Sequence, residues 1–261
     1  MYGRTIALTH VPSPRIEAGE RTYVGNAPIN YTRAMEQHAR YRQVLWDSGA
    51  EVKLLDINRE HPDSVFIEDT AIVLDEVAIS ASMGVESRRG EPSGIEQALR
   101  PHREIVRVEL PATIEGGDVT RVGRTLLVGA STRTNAAGIA ALTEIGRRFG
   151  YTTTAVRIRD CLHLKTACTA LPDGRLLFNP SWVDADDLRG LQLIGVPKEE
   201  PWAADVLSIG ETVCLPTDFP RTAELVTRLG FDVRTVDLSE FAKAEGGVTC
   251  LSLVFRSSAS T

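Results

Sequence analysis

Three stretches of the chain share one order of apolar and polar residues: a helical pattern, a glycine and then a strand-like run. They are WDSGAEVKLLDI, RRFGYTTTAVRI and TRLGFDVRTVDL. Glycine adopts the left-handed backbone conformation that ends many helices, so Gly49, Gly150 and Gly230 are predicted to lie at helix C-termini. The pattern therefore predicts repeated helix–strand units.

Pairs of short apolar runs joined by turn residues lie between these units and predict β-hairpins. The four internal pairs are DTAIVLDEVAISAS, GGDVTRVGRTLLVGAS, TACTALPDGRLLFNPS and ADVLSIGETVCLPT. A fifth pair joins RTIALTH near the N-terminus with CLSLVF near the C-terminus. The spacing of roughly 40 to 50 residues is typical of propeller blades and repeat arrays. An ordinary α/β alternation of helices and strands is the alternative.

The composition is that of a globular protein with a sizeable core, since 43% of the 261 residues are hydrophobic and 25% are charged. This length allows one large domain or two small ones. Four cysteines are too few at this length for a disulfide scaffold and fit a reducing compartment. No apolar run reaches the roughly 18 residues that a membrane span needs, and MYGRTIALTHVPSPR lacks the apolar core of a signal peptide. We therefore expect a cytoplasmic protein with no membrane partner.

The net charge narrows the choice of ligand. It is -6, with a pI of about 5.5. This charge argues against nucleic acid and against an anionic membrane surface as the main partner, because both are negatively charged. A small cation is the favoured ligand.

The loop that precedes each predicted hairpin, here called the pre-hairpin loop, collects residues that carry chemistry. Glu68 and Asp69 follow the run VKLLD, Glu115 follows IVRVEL, His163 follows TAVRI and Cys250 follows VRTVDL. If the units surround one axis, these loops meet at one mouth of the central channel.

A cysteine, a histidine and a carboxylate at one place are the parts of nucleophilic catalysis. The thiolate attacks, the imidazole moves protons and the carboxylate orients the imidazole. Cys250, His163 and Glu115 could fill these roles. Each also has a structural alternative, since a buried cysteine packs as a small hydrophobe and His163 could be a hydrogen-bonded core residue.

Acidic residues around the thiol indicate the charge of the substrate. Asp63, Glu68 and Asp69 supply carboxylates that suit the planar donor fork of a guanidinium. Attack of the thiol at the guanidinium carbon would follow. Arg88 and Arg133 could hold a carboxylate at the far end of the ligand, although an arginine on the surface is the commoner case.

The segment CLHLKTAC offers a zinc site as an alternative, through Cys161, His163 and Cys168. Structural zinc takes four ligands at short spacings, and the sequence has no second cluster of this kind. Alternation along a strand would also place Cys168 on the face opposite the other two. We therefore predict no metal.

A set of motifs along nearly the whole chain resembles the dimethylarginine dimethylaminohydrolases of the guanidino-modifying (pentein) superfamily. The motifs are AMEQHARYRQVL, HPDSVFIEDTAIV, ESRRGE, IEGGDVTRVG, STRTNAAG, LHLKT, FPRTAELVTRLGF and EGGVTCLSLVF. The resemblance implies an α/β fold, a five-bladed pseudo-symmetric ββαβ propeller that forms a single catalytic domain over residues 1–261. It also implies hydrolysis of Nω-methylated arginines to citrulline and methylamine or dimethylamine, through a thiouronium intermediate and without a cofactor.

The resemblance assigns a role to individual residues. The implied roles are Cys250 as nucleophile, His163 as general acid and base, Glu115 as its partner, Glu68 and Asp69 as guanidinium ligands, Asp63 and Phe66 as pocket lining, Arg88 and Arg133 at the amino acid end, and the main-chain carbonyl of Ala244 at the amino group. Two parts depart from the family pattern. The lid segment SPRIEAGERTYVGN aligns poorly, and Ala244 is smaller than the bulky aliphatic residue expected there.

Two other functions remain open at this point. One is a related guanidino-modifying enzyme, such as an arginine or agmatine deiminase or an amidinotransferase. Arginine deiminase carries a helical insertion for which this chain has no room. The other is a pentein that acts by binding alone, although such a scaffold does not need the set of Cys250, His163, Glu115 and Asp69. The assembly is also open, with a homodimer as one form.

Overall fold

The computed structural model describes residues 3–257, so residues 1–2 and 258–261 of the expected domain lie outside the described part. The strands of the described part are β1 (Thr5–His10), β2 (Glu51–Leu55), β3 (Ala71–Val73), β4 (Val77–Ser80), β5 (Glu104–Arg107), β6 (Val119–Val122), β7 (Thr125–Ala130), β8 (Thr152–Arg157), β9 (Cys168–Ala170), β10 (Leu176–Phe178), β11 (Leu193–Gly195), β12 (Leu207–Ile209), β13 (Thr212–Pro216), β14 (Asp232–Val236) and β15 (Leu253–Arg256).

These strands form five sheets of three strands each, with the orders β15-β1-β2, β3-β4-β5, β6-β7-β8, β9-β10-β11 and β12-β13-β14. In every sheet the first strand pairs antiparallel with the middle strand, and the third pairs parallel with it. The first sheet joins the two ends of the chain, with Thr5 opposite Arg256 and Leu8 opposite Leu253. Each sheet is one blade.

Helices make the crossovers that parallel pairing requires. The α-helices are α1 (Tyr31–Asp47), α2 (Glu91–Leu99), α3 (Ala136–Arg148), α4 (Leu164–Ala167), α5 (Pro220–Arg228) and α6 (Ser239–Ala242). Short 3-10 turns lie at Ile16–Ala18, Ile67–Thr70, Glu86–Arg88, Gly116–Asp118 and Ala185–Leu188. The predicted five-bladed ββαβ propeller is confirmed, except that the fourth blade crosses over through the turn Ala185–Leu188 and not through an α-helix.

The strand directions place all pre-hairpin loops at one end of the molecule. The third strand of a blade runs in the same direction as the middle strand, so both end on the same side. The next hairpin therefore begins on that side. The hairpin turns, including Asp75 and Gly210, lie at the opposite end of a central cavity of about 510 Å³ that the first strands of several blades line.

Five apolar clusters fill the spaces between neighbouring blades. Alternation along β7 shows how one strand serves two of them. Leu126 and Val128 pack with Ile79 of the second blade, whereas Leu127 packs with Leu176 of the fourth. Each blade is therefore held on both faces.

The predicted helix ends are confirmed. Gly49, Gly150 and Gly230 have φ of 91°, 78° and 97° and follow α1, α3 and α5. The side chains of Asn30 and Asn135 cap the N-termini of α1 and α3 by accepting backbone N–H groups. Every helix between residues 3 and 257 is too short or too polar to cross a bilayer.

Gly150→Ala should lower the free energy of unfolding by about 1 to 2 kcal/mol, because a Cβ is strained in the left-handed region. Gly195→Ala is the matched control. Its Cβ would meet no neighbouring atom and its backbone is not left-handed, so we expect no loss of stability. Urea denaturation of both variants measures the difference, and equal stabilities would contradict the prediction.

Candidate active site

The pre-hairpin loops converge on a small cavity of about 20 Å³. This volume holds roughly one water molecule. The cavity is lined by Glu20, Asp63, Phe66, Asp69, Arg88, Arg133, Leu162, His163, Ala244, Glu245, Gly246 and Cys250. Eight of the ten predicted site residues are in this lining, and the other two, Glu68 and Glu115, lie behind it.

His163 stands between two carboxylates. Its Nε2 lies 2.8 Å from Oε2 of Glu115, and its Nδ1 lies 3.7 Å from Oδ1 of Asp69. Glu115 is fully buried, and its Oε1 accepts a hydrogen bond of 2.9 Å from the backbone N–H of Gly84. The imidazole is therefore fixed on its Nε2 side, while Nδ1 is directed toward Asp69.

His163 and Glu115 stabilise each other's charged form. Burial disfavours a charged imidazole, but Asp69, Glu115 and Asp118 outweigh it and raise the pKa of His163 to about 9. Burial alone would raise the pKa of Glu115, but the hydrogen bond and charge of His163 lower it to about 2. At neutral pH His163 is protonated and Glu115 is ionised.

The two glycines of IEGGD allow the loops to approach this closely. A Cβ on Gly117 would lie 2.8 Å from the His163 ring. A Cβ on Gly116 would overlap the backbone carbonyl of Glu68. The backbone N–H of Gly117 donates to Oδ1 of Asp69 at 3.2 Å. Glycine is thus required by packing here and not by a positive φ.

The glycines of EGGVTC serve Cys250 in the same way. A Cβ on Gly246 would overlap the ring of Phe66, and one on Gly247 would overlap the carboxylate of Asp205. The backbone N–H of Gly247 points at Sγ of Cys250 at 3.4 Å. The turn therefore presents the thiol at the cavity with its backbone packed against both neighbours.

The thiol of Cys250 is held in its neutral form. Burial and the negative charges of Asp205, Asp69 and Glu68 raise its pKa well above the ordinary value. The other three cysteines, Cys161, Cys168 and Cys214, are buried in apolar clusters. Cys250 is the partly buried one among the four.

The two arginines of the cavity differ in their partners. Arg88 donates to Asp69 at 2.7 Å, to Glu91 at 2.9 Å and to the carbonyl of Phe66 at 3.0 Å. Arg133 is equally buried, but its Nη1 has no hydrogen-bond partner in the described part of the chain. That Nη1 lies 3.7 Å from Oε1 of Glu115, which makes an ion pair without a hydrogen bond. Arg133 therefore keeps a donor for a ligand, and the role of both arginines at a ligand carboxylate stays a prediction.

Glu68 and Asp63 lie at opposite sides of the site. Oε1 of Glu68 pairs with Lys165 at 2.5 Å beside the central cavity, and its Oε2 is buried without a partner among residues 3–257. Oδ2 of Asp63 accepts the backbone N–H of Glu20 in the lid segment at 3.1 Å. Their predicted contacts with a guanidinium stay predictions.

Sequence reasoning missed several residues that hold the site together. They are Glu91, which holds Arg88; Lys165, which pairs with Glu68; Asp118, which accepts the backbone N–H of Leu164; Asp205, beside Cys250; and Glu245, which binds lid amides. Only Asp205 had a signal, because it stands two residues before β12 as Asp69 stands two residues before β3.

One group of residues in the described part has ligand atoms close enough to hold a metal ion. Asp69, Glu115 and His163 place such atoms within 4.8 Å of one another. Nε2 of His163 already contacts Glu115, so the group works as a hydrogen-bonded acid–base pair. Cys161 and Cys168, the zinc alternative, are not part of it. The prediction that the protein needs no metal stays a prediction.

A family model described as "N,N dimethylarginine dimethylhydrolase, eukaryotic" matches residues 15–168. A protein of Streptomyces coelicolor named N(G),N(G)-dimethylarginine dimethylaminohydrolase is 39% identical over 251 residues, which are 96% of each chain. The chain belongs to the dimethylarginine dimethylaminohydrolase family. A second member, from Pseudomonas aeruginosa, is 37% identical over 87% of this chain and 90% of its own.

Solved structures agree with the family and the fold. A cysteine-to-serine variant of the Pseudomonas aeruginosa dimethylarginine dimethylaminohydrolase, complexed with citrulline, superposes with a TM-score of 0.89 at 34% identity, over 98% of this chain and 100% of that one. The N-terminal domain of ArgZ, a cyanobacterial arginine dihydrolase, superposes with a TM-score of 0.82 at 22% identity, over 97% and 98% of the two chains. The second likeness concerns the fold alone.

Glu115→Gln should lower the pKa of His163, because it removes the charge bonded to Nε2. In an NMR titration of the imidazole, we expect a midpoint near 9 in the parent protein and a lower midpoint in the variant. Glu109→Gln, at an exposed glutamate, is the control. An unchanged midpoint in Glu115→Gln would show that the pair does not interact.

The same variant has a pH-dependent effect on stability. The raised pKa of His163 contributes stability below 6.5 that is lost as the pH rises through about 9. The lowered pKa of Glu115 contributes stability above 4.5 that is lost as the pH falls through about 2. The stability difference between parent and variant should therefore be largest between pH 4.5 and 6.5.

Proposed function

We propose that this protein hydrolyses Nω-methylated arginines to citrulline and methylamine or dimethylamine, with Cys250 as the nucleophile. The observation that carries the proposal is one small cavity lined by Cys250, His163 and Asp69, with Glu115 bonded to His163 behind it. The relatives add support. One family structure is complexed with citrulline, and another is a histidine-to-glycine variant in an adduct with S-methyl-L-thiocitrulline.

The substrate is held at both ends in this proposal. Asp69 and Glu68 are the carboxylates for the guanidinium, and Asp63 and Phe66 complete the pocket. The buried Nη1 of Arg133 lies 3.7 Å from Oε1 of Glu115 but makes no hydrogen bond within residues 3–257. It takes the substrate carboxylate, because a buried donor without an acceptor is unfavourable. Arg88 lies beside it, and the carbonyl of Ala244 accepts the amino group.

The first half-reaction forms the covalent intermediate. The bound cation offsets the carboxylates around Cys250, so the thiol releases its proton to solvent. The thiolate attacks the guanidinium carbon and forms a C–S bond. Protonated His163 gives its proton to the methylated nitrogen, the C–N bond breaks, and the neutral amine leaves. A thiouronium on Cys250 remains, with His163 neutral and Glu115 holding its ring.

The second half-reaction restores the enzyme. Neutral His163 takes a proton from water as the oxygen attacks the thiouronium carbon. The C–S bond then breaks and its electron pair returns to the sulfur of Cys250. The new hydroxyl loses its proton to solvent, which gives the neutral ureido group of citrulline, and the thiolate of Cys250 takes a proton from solvent and is again a neutral thiol. His163 is again protonated for the next cycle.

We also propose a cytoplasmic location and no nucleic-acid partner. All four cysteines are free thiols, which fits a reducing compartment, and the net charge is -6. A homodimer stays a prediction that sedimentation would test.

Incubation with asymmetric dimethylarginine, monomethylarginine, arginine and agmatine tests the function. We expect ureido product and released amine from the methylated arginines. Little product should form from agmatine, which has no carboxylate for Arg133. Product from unmethylated arginine alone, or from none of the four, would overturn the proposal.

Cys250→Ser should reduce kcat for dimethylarginine by at least about 10³-fold while leaving the folded structure intact, because a hydroxyl is a much weaker nucleophile than a thiolate. Cys214→Ala is the matched control and should keep its activity, since Cys214 lies in β13 and is not among the residues that line the cavity. Steady-state assays and thermal denaturation measure both. Full activity in Cys250→Ser would rule out its role.

His163→Gly should lose about 10²- to 10⁴-fold in kcat with a smaller change in KM, because general acid–base catalysis acts in the chemical steps. Rapid-quench detection of the covalent adduct distinguishes binding from proton transfer. A raised KM with an unchanged kcat would show that His163 only binds the substrate.

A further inference from the structure

Each of the five pre-hairpin loops contributes a titratable side chain to the same end of the channel. Four of these side chains, Asp69, Glu115, His163 and Cys250, already have roles in the proposed function. The loop between β11 and β12 contributes the fifth, Asp205, which has none so far. Its position in the fold equals that of Asp69, two residues before the first strand of a blade.

Asp205 contacts both halves of the turn that carries the nucleophile. Its Oδ1 accepts the backbone N–H of Thr249, next to Cys250, at 3.1 Å. Its Oδ2 lies so close to Gly247 that no Cβ fits there. Gly247 in turn directs its N–H at the sulfur of Cys250. Asp205 is 5% exposed, so it is a built part of the turn.

The cations near Asp205 are paired with other carboxylates, so its negative charge still acts on the thiol of Cys250. Lys165 is the nearby cation, but it is paired with Glu68. Arg88 is paired with Asp69 and Glu91. The charged and titratable groups around Cys250 are Glu68, Asp69 and Asp205 at close range, with Glu20, Asp63, Arg88, Arg133, His163 and Glu245 in the lining of the cavity.

Asp205 carries a negative charge at neutral pH. Burial raises the pKa of Asp205 to about 6, and the backbone hydrogen bond from Thr249 opposes the rise. Asp205 is thus mainly ionised at pH 7. Burial is the main cause of the raised pKa of Cys250, and Asp205 has the largest effect among the three carboxylates that raise it further.

We propose that Asp205 is a positioning residue that braces the Gly247–Cys250 turn and, by its negative charge beside the nucleophile, helps to keep the thiol protonated in the free protein. The inference rests on the proposed function and adds a residue to it. A neutral ligand cannot offset this charge. The ureido product is neutral, so the thiol takes up its proton again once the guanidinium is consumed.

Alkylation of the free protein tests the proposal without any turnover. Cys250 is reacted with neutral iodoacetamide and with a cationic haloacetamidine across pH, and the labelled peptide is mapped. Asp205→Asn keeps the shape and removes the charge. We expect the midpoint for iodoacetamide to fall by about one pH unit or more, which is about tenfold faster labelling at pH 7. The preference for the cationic reagent should fall as well.

Controls separate charge from structure. Asp232→Asn removes an exposed carboxylate from the same blade and should leave both the midpoint and the preference unchanged. Thermal denaturation checks that Asp205→Asn is folded. If it is not, Asp205→Ser, which removes the charge with a smaller neutral side chain, carries the same expectation.

The outcomes are distinct. An unchanged midpoint and preference in the folded variant would overturn the proposal, whatever the activity. A lower kcat/KM for dimethylarginine with a normal alkylation profile would mean that Asp205 supports the turn without acting through its charge, which also overturns it. Absence of hydrolysis in the parent protein would overturn the proposed function, and the alkylation result would still decide the role of Asp205 at the thiol.

Discussion

Parallel pairing of the third strand with the middle strand is the constraint on which the rest of this structure depends. It returns the chain to the same end of the molecule after every blade. The five loops that follow therefore meet there, although residues such as Asp69 and Cys250 are far apart in sequence. The closing pair of β1 and β15 makes the arrangement circular, so the loops face one another around an axis.

Where the five loops meet, charged side chains are buried away from water. Ion pairs between these side chains offset the cost of burying them. Arg88 lies between Asp69 and Glu91, Glu68 faces Lys165, and Glu115 faces His163. Removing one partner of such a buried pair leaves an uncompensated charge, which is costly. At Cys250, burial and the negative charges of Asp205, Asp69 and Glu68 hold the thiol in its neutral form.

The repeating architecture was accessible from sequence because it rests on local signals. Turn residues marked the hairpins, and glycines such as Gly150 marked helix ends, where a positive φ gives one residue type a large advantage. The three predicted helix–strand units did not include the second and fourth crossovers, which are α2 and a 3-10 turn. Part of the site was accessible because several of its residues stand at a repeated position, as with His163 and Cys250.

The remaining parts of the site depend on side-chain directions that no local pattern encodes. Glu68 and Asp69 are neighbours in sequence, yet Glu68 turns to Lys165 and Asp69 to Arg88. Glu91 lies in α2 and reads as an ordinary surface residue of a helix. Asp205 stood at the repeated position, but its run VLSI suggested only a strand. In each case contacts with residues distant in sequence determine the direction of the side chain.

The lid segment bears on the size of the site. The cavity beside it has about 20 Å³, which is too small for an arginine derivative. Oε1 of Glu245 accepts the backbone N–H groups of Thr22 at 2.7 Å and Val24 at 3.0 Å, and also that of Tyr23. Glu245 holds this position at φ 62°, which is unusual for a residue with a Cβ. These hydrogen bonds join the lid to the segment that carries Cys250. Glu245 and Cys250 line the same cavity, so these hydrogen bonds couple the position of the lid segment to the size of the site.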